Sequence, residues 1–391
     1  MKRFSSQYVL TNTGPALKRA VLTTEDDGTI ISIEDTGGYL KEKRNIEFYN
    51  GIIIPGFVNC HCHLELSHMK GTIEMGVGLG KFLENISNKR EDNRNTIIDS
   101  AAAADKNMCR TGTVLCADIC NTSDTFDIKR NSSISYINLL EVFGTDPEKA
   151  SRQMDEIMLV AETARKMSLP FSLVPHTVYT MSLPLLRLLR ERSVPNTITS
   201  IHFMETPGEK AFIESHSGPL MDSFRLSGFI PNNLETVNSH ADAVMNEIIR
   251  SGNLIVVHNT FADRNTIKKI MERRNLFWCL CPNSNLYIEN QVPPLDLFIS
   301  EGCEIVIGTD SLASNSSLNI FSELQTLQRY FPSISIEQLV CMATANGAKA
   351  LSKEDQFGKI AQGKKPGLLL LQNVDMLNMK LLPDSFVTRL I

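Results

Sequence analysis

No stretch of this chain approaches the run of apolar residues needed to cross a bilayer, and its first ten residues, Met1 to Leu10, carry no signal-like apolar core. Both absences point away from membrane-spanning and secreted classes, and a cytoplasmic protein is expected. A basic excess is missing too: 39 Lys and Arg stand against 44 Asp and Glu, for a formal charge of −5, and Lys364-Lys365 is too short to form a patch. Without surplus positive charge there is little to neutralise a phosphate backbone, so neither nucleic acid nor a membrane is an expected partner. Internal repeats and low-complexity tracts are absent, so the chain reads as globular. Its nine cysteines, an odd number, suit a reducing compartment rather than a disulfide framework.

What is present is 391 residues, 42% of them hydrophobic, enough to bury a large core in one α/β barrel or in two domains. Residues 1 to 50 alternate strand-like runs, such as Tyr8-Val9-Leu10 and Ile30-Ile31-Ser32-Ile33, with turns at Asp26-Asp27-Gly28 and Gly37-Gly38. The same grammar returns over 360 to 391, where Gly363 to Gly367 leads into Leu368 to Leu371 and Ser385 to Thr388 forms the closing run. The two ends are expected to pair with each other. Between them, apolar runs at 52–58, 113–119, 134–142, 171–175, 198–203, 253–257, 277–281 and 303–307 alternate with helical intervals. Eight such runs predict a parallel sheet closed into a (β/α)8 TIM-like barrel. Met154, Ile157, Met158, Ala161 and Ala164 recur at three- and four-residue spacing, as a helix packed on that barrel needs. The segment 84 to 107 is polar, and Asn85 to Asp92 within it is expected to be a solvated loop or helix end over the barrel mouth.

The first of these runs ends in Pro55-Gly56-Phe57-Val58-Asn59-Cys60-His61-Cys62-His63. Successive side chains of a strand point to opposite faces, so His61 and His63 project the same way and can hold one ion. The same alternation turns Cys60 and Cys62 to the other face, where a thiol packs under helices, and Cys116, Cys120, Cys279 and Cys281 also read as core. Active sites of such barrels lie at the carboxyl ends of the strands. Those positions hold His61 and His63, then His176, His202, His258 and Asp310. His68, His216 and His240 have no such placement and read as surface or loop residues.

The string Pro55 to His63, with His202-Phe203-Met204-Glu205-Thr206, Val257-His258-Asn259, Cys281-Pro282-Asn283-Ser284-Asn285 and Gly308 to Asn315, resembles the metal-dependent amidohydrolase superfamily. Within it the chain is similar to the branch of cytosine, guanine, S-adenosylhomocysteine and aminodeoxyfutalosine deaminases and chlorotriazine hydrolases. The resemblance spans essentially the whole length. It implies an α/β fold with the barrel over 55–359 and a small composite β-sandwich built from 1–54 and 360–391. It also implies one divalent metal ion, zinc first and iron(II) as the alternative, held by His61, His63, His202 and Asp310. Binuclear members carry a bridging Lys or Glu on a middle strand, and Phe171 to His176 contains neither. By the same resemblance Glu205 moves protons, His258 orients the water or polarises the leaving group, Asp310 accepts the water's proton, and His176 meets substrate. The chemistry is coherent: imidazoles and a carboxylate leave room for a water whose pKa the ion lowers toward neutrality. A departing nitrogen then needs an acid, which Glu205 suits.

Glu65 in His63-Leu64-Glu65-Leu66-Ser67, together with Glu141-Val142-Phe143-Gly144, is most similar to the aminodeoxyfutalosine deaminase-like members. Glu65, Glu141, His176 and Asn315 are therefore the expected substrate contacts, and Phe143, Phe203 and Trp278 are candidates for an aromatic wall. The expected function is hydrolytic deamination of an adenine-type nucleoside or a related amino-heterocycle. Two alternatives stay open: a cyclic amidohydrolase or chlorohydrolase, and a non-catalytic barrel that binds a small molecule. One departure stands out, Pro366-Gly367-Leu368 where the family commonly has Ala-Asp-Leu, and it touches only the small domain. Family members are often homodimers, an assembly that the resemblance implies and no residue pattern here indicates.

Overall fold

The structure, a computed structural model, describes residues 1–41, 44–193, 197–226 and 252–391. His240 lies outside them. Each of the eight apolar runs holds or leads into a strand of a parallel sheet: β6 Phe57–Cys62, β7 Thr113–Cys120, β8 Ser135–Val142, β9 Phe171–Pro175, β10 Ile198–Phe203, β11 Asn253–His258, β12 Leu276–Leu280 and β13 Ile305–Ile307. Strands β6 to β9 form one four-stranded parallel sheet in sequence order, and β10 to β13 form a second. Burial is nearly continuous along them, as in β7, where all eight residues of Thr-Val-Leu-Cys-Ala-Asp-Ile-Cys are buried. That is the pattern of parallel strands covered on both faces.

The two sheets are joined at both edges. The His202 N–H donates to the His176 carbonyl at 3.0 Å, and on the other side the Thr309 and Asp310 N–H groups donate to the His61 carbonyl at 2.9 and 3.0 Å. All eight strands run in one direction, so their carboxyl ends lie together, which is where the functional side chains are.

Helices fill the intervals: α1 Leu79–Lys89, α2 Arg94–Arg110, α3 Phe126–Asn131, α4 Ala150–Lys166, α5 Leu183–Arg192, α6 Gly208–Ser215, α7 Pro219–Leu226, α8 Arg264–Ile270, α9 Pro282–Glu289, α10 Leu295–Ser300, α11 Ile320–Tyr330, α12 Ile336–Ala343 and α13 Ala345–Ala350. Helix α4 buries Met154, Ile157, Ala161 and Ala164, the stripe that the spacing predicted. Each such aliphatic side chain taken out of water contributes about 1.5–3 kcal/mol. Where a solvated loop or helix end is expected over Asn85 to Asp92, the structure has the end of α1 and a short loop, and the rest of the segment to 107 lies in α2. Helix α1 buries Leu79 and Phe82 and α2 buries Ala101, Ala104 and Met108, with only residues 90 to 93 between them. Their polar faces hid a narrow apolar stripe.

Strands from both termini share one mixed sheet in the order β15-β14-β5-β1-β3-β4, with β2 on β1. These strands are β1 Lys2–Val9, β2 Leu17–Lys18, β3 Val21–Thr24, β4 Ile30–Glu34, β5 Ile46–Pro55, β14 Leu368–Asp375 and β15 Lys380–Arg389. The ends pair directly, β14 against β5, with Leu369 opposite Ile54. The run read as 52–58 is therefore two strands: Ile52, Ile53 and Ile54 belong to this terminal sheet, and the parallel sheet starts at Phe57. Gly56 between them has room for no side chain, since an added Cβ would lie 2.5 Å from Val114 Cγ1 and 2.7 Å from the Pro366 carbonyl.

Candidate active site

His61 lies in β6 and His63 just beyond it, and their Nε2 atoms are 3.1 Å apart. Between them Cys62 points away and packs with Ala101, Ala104 and Met108, as alternation requires. Cys60 does not follow it. The pairing register with β7 slips between Asn59 and Cys62, and Cys60 turns instead into a cluster with Val58, Val257, Phe277, Cys279 and Val306, drawn from both parallel sheets.

His202, near the end of β10, hydrogen-bonds the His176 carbonyl through Nδ1 at 3.0 Å, which leaves Nε2 free to ligate. Asp310 follows β13 in the left-handed region (φ 59°). Its Oδ2 accepts hydroxyl bonds from Ser284 at 2.6 Å and Ser314 at 2.7 Å, while Oδ1 lies 3.4 Å from His63 Nε2 and 3.7 Å from His61 Nε2. His258 ends β11, with Nδ1 accepting from Asn285 Nδ2 at 3.1 Å and Nε2 3.5 Å from Glu205 Oε1.

Potential ligand atoms of His61, His63 and Asp310 all lie within 4.8 Å of one another, and so do those of His61, His202 and His258. Burial, together with the neighbouring imidazoles, holds His63 well below its ordinary pKa and brings His202 down to about 3. Burial alone would raise Asp310, yet the imidazoles of His61, His63 and His258 hold it well below the carboxylate range. Neutral imidazoles beside an ionised carboxylate are the protonation states a divalent metal requires, so this donor set fits one. Glu205 behaves oppositely: burial, then the charges of Asp310 and Glu209, push its carboxyl well above 4.5. The direction favours the protonated form of this carboxyl.

A cavity of about 350 Å³ is lined by His63, Glu141, His176, His202, Glu205, His258 and Asp310, with apolar lining from Leu79, Phe82, Leu83 and Phe224. The amidohydrolase family pattern matches residues 52–387 of this sequence, most of its length. The chain belongs to the amidohydrolase family. It is 25% identical over 335 residues to the adenosine deaminase of Helicobacter pylori, covering 82% of this chain and 79% of that protein. It is 26% identical over 332 residues to the aminodeoxyfutalosine deaminase of a Nitratiruptor species, covering 82% and 79%. In structure it is similar to Helicobacter pylori aminofutalosine deaminase in complex with methylthio-coformycin, with a TM-score of 0.79 at 20% identity, over 97% of this chain and 94% of that one.

In this amidohydrolase fold the expected substrate contacts divide. Glu141 and His176 line the cavity. The Glu141 carboxyl is buried, with Oε2 accepting from Asn121 Nδ2 at 3.3 Å and Oε1 left without a hydrogen-bond partner 3.6 Å from His202 Nδ1. His176 is brought down to about 4 by burial, and its Nδ1 lies 3.0 Å from Thr180 Oγ1. Glu65 and Asn315 do not line the cavity. Glu65 is engaged by Arg90 Nη2 at 3.2 Å and by the Asn121 and Thr122 N–H groups at 3.1 and 3.2 Å. Asn315 donates to the Thr309 carbonyl and to Glu323 Oε1, both at 2.9 Å. Of the aromatic candidates only Phe143 is at the cavity, and Phe203 and Trp278 are core.

Several contributors had no signal of their own in the sequence. Ser284 and Asn285 sit inside the quoted Cys281 to Asn285 string, yet nothing in it says that they grip Asp310 and His258. Arg90 reaches the wall only because α1 lies over the cavity.

Proposed function

We propose that this chain is a metal-dependent aminohydrolase that releases ammonia from an adenine-type nucleoside or a closely related amino-heterocycle, as aminodeoxyfutalosine deaminase-like enzymes do. One observation carries the reading: the buried Glu205 carboxyl, 3.5 Å from His258 Nε2, lines the same cavity as a cluster of imidazoles and Asp310 whose ligand atoms converge. His61, His63, His202 and Asp310 would hold one divalent ion, zinc before iron(II), which as a Lewis acid lowers the pKa of a water toward neutrality. Asp310, with Oδ2 fixed by two serine hydroxyls, is placed to take the proton of that water on Oδ1. Glu205 delivers its proton to the ring nitrogen next to the carbon under attack; the proton held by Asp310 passes to the exocyclic amine, which leaves as ammonia, and Glu205 recovers a proton from the added hydroxyl as the carbonyl forms. His258, its ring fixed by Asn285, faces the same reacting centre. The unpartnered Oε1 of Glu141 and the His176 ring are the substrate contacts, and Phe143 gives an aromatic edge. For Glu65 and Asn315 the contacts favour a supporting role behind the wall.

The fold reading belongs to the same proposal. The bonds at both edges of the parallel sheets support closure of β6 to β13 into a (β/α)8 barrel over 55–359. The pairing of β14 with β5 and the tight passage at Gly56 support a separate small β domain from 1–54 and 360–391. Nine unpaired thiols favour a reducing compartment such as the cytoplasm, and among the described residues no helix is long and apolar enough to cross a membrane. Ammonia release by the purified protein from adenosine, 5′-deoxyadenosine, S-adenosylhomocysteine, aminodeoxyfutalosine, guanine and cytosine tests the activity. Turnover of at least one adenine nucleoside is expected, and an inert panel would overturn the reading.

A further inference from the structure

Between β10 and α6 the chain leaves a buried strand through Met204, which sits in the left-handed region with φ 50°. A residue with a side chain is strained there unless bonds fix it. The bonds come from one carboxylate. Glu209 Oε2 accepts the Met204 N–H at 3.0 Å, and Glu209 Oε1 accepts the N–H of Glu205 at 2.6 Å and of Thr206 at 3.3 Å. Three consecutive amides thus converge on a single anion, a concavity of the kind that elsewhere binds a phosphate and is here filled by the chain itself. Glu209 is 1% exposed and lies outside the cavity wall. The far side of the loop is fixed as well, since the Phe261 N–H donates to the Met204 carbonyl at 2.9 Å.

We infer that Glu209 is the positioning residue for Glu205: its carboxylate gathers the amides of 204 to 206 and so sets where the Glu205 side chain enters the cavity beside His258. A capping box over Thr206 to Glu209 accounts for the contact to the Thr206 N–H alone, whereas the contacts to the Met204 and Glu205 N–H groups lie further ahead of α6 than such a cap reaches. The carboxylate form matters. A glutamine offers one oxygen, and its NH2 would face an N–H group, so it cannot serve both sets of bonds. The inference rests on Glu205 being the proton donor proposed above.

The test uses the full-length metal-loaded protein with Glu209→Gln and Glu209→Asp, read by amide hydrogen exchange, metal content, kcat and KM. Both variants are expected to keep the metal and to speed exchange in the peptide spanning 204–206 but not in β10. A drop in kcat of about 10–100-fold with KM within about threefold is expected, the scale of a misplacement near 1 Å. In a Glu205→Gln background the Glu209 substitution should lower the residual kcat no further, because it acts through Glu205. Unchanged exchange, an unchanged kcat, or a full additional loss in that background would overturn the inference. Should Glu209→Gln fail to fold, Glu209→Asp, which keeps the charge, is read by the same criteria. A wild-type protein that releases no ammonia would sink the functional reading instead, and exchange would still decide whether Glu209 orders the loop.

Discussion

Asp310 divides its labour between two oxygens, one bound to Ser284 and Ser314 and the other turned to His61 and His63. Partners of that kind orient a ligand, and removing them characteristically weakens metal affinity about 10–100-fold. Ser284→Ala with Ser314→Ala should therefore raise the metal dissociation constant by about that factor in a chelator competition, while His61→Ala should leave no metal after dialysis. Glu205→Gln should retain the metal and lower kcat by about 10²–10⁴-fold, and full activity would refute its role. His61, His63, His202 and Asp310 stood out as candidates in the sequence because each is at the end of an apolar run, whereas the grip of Ser284 and Ser314 on Asp310 had no such signal. Glu65 and Asn315 mark the limit of that reading. Both sit in strings that point to the site, but only three-dimensional contacts reveal that Arg90 and Glu323 have claimed them.

Elements carry a second set of consequences. Under β7 and β8 the fully buried Lys129 ammonium pairs with Asp118 and also bonds Asn138 Oδ1 at 3.0 Å. Asp118 Oδ1 in turn accepts the N–H of Leu64 at 2.7 Å, the residue after His63. Lys129→Met should cost about 3–5 kcal/mol by leaving a buried charge unpaired, read as a fall in the denaturant midpoint, and adding Asp118→Asn should restore much of it. At Gly56 the crowding by Val114 and Pro366 predicts that Gly56→Ala costs about 1–3 kcal/mol, read in the same way. In α11, burial pushes the Glu323 carboxyl from 4.5 up to about 8, against the pull of Asn283 and Asn315 amide donors. The folded state then holds this proton more tightly than the unfolded chain does. Its contribution is full below 4.5 and is lost as pH rises through about 8, so stability falls across that window. Glu323→Gln should flatten the fall in thermal midpoint between about pH 5 and about 9, and parallel curves would contradict the assignment. Periodicity located the strands well because their burial is continuous. It left the extents of α1 and α2 open, since their polar faces outweigh a thin buried stripe, and it fused β5 with β6 because Ile52 to Val58 is apolar across the turn between two sheets.

At the scale of the whole molecule, distant segments meet because parallel strands bring their carboxyl ends to one side. His61 and Asp310 are far apart in sequence, yet the backbones around them are hydrogen-bonded, and the side chains follow. That convergence was foreseeable from eight runs, five of them with His or Asp at their ends. The lining of the cavity was not, since part of it comes from α1 and Phe224, whose positions depend on packing rather than on local pattern. The family assignment fixes the class of hydrolase, and the cavity sets the scale of the substrate. The most direct measurement is ammonia release from adenine nucleosides by protein whose metal content is counted, before and after chelation. The account predicts about one divalent ion per chain, turnover that disappears with the ion, and recovery on adding zinc back. Ammonia release that persists at full rate in metal-free protein would contradict it.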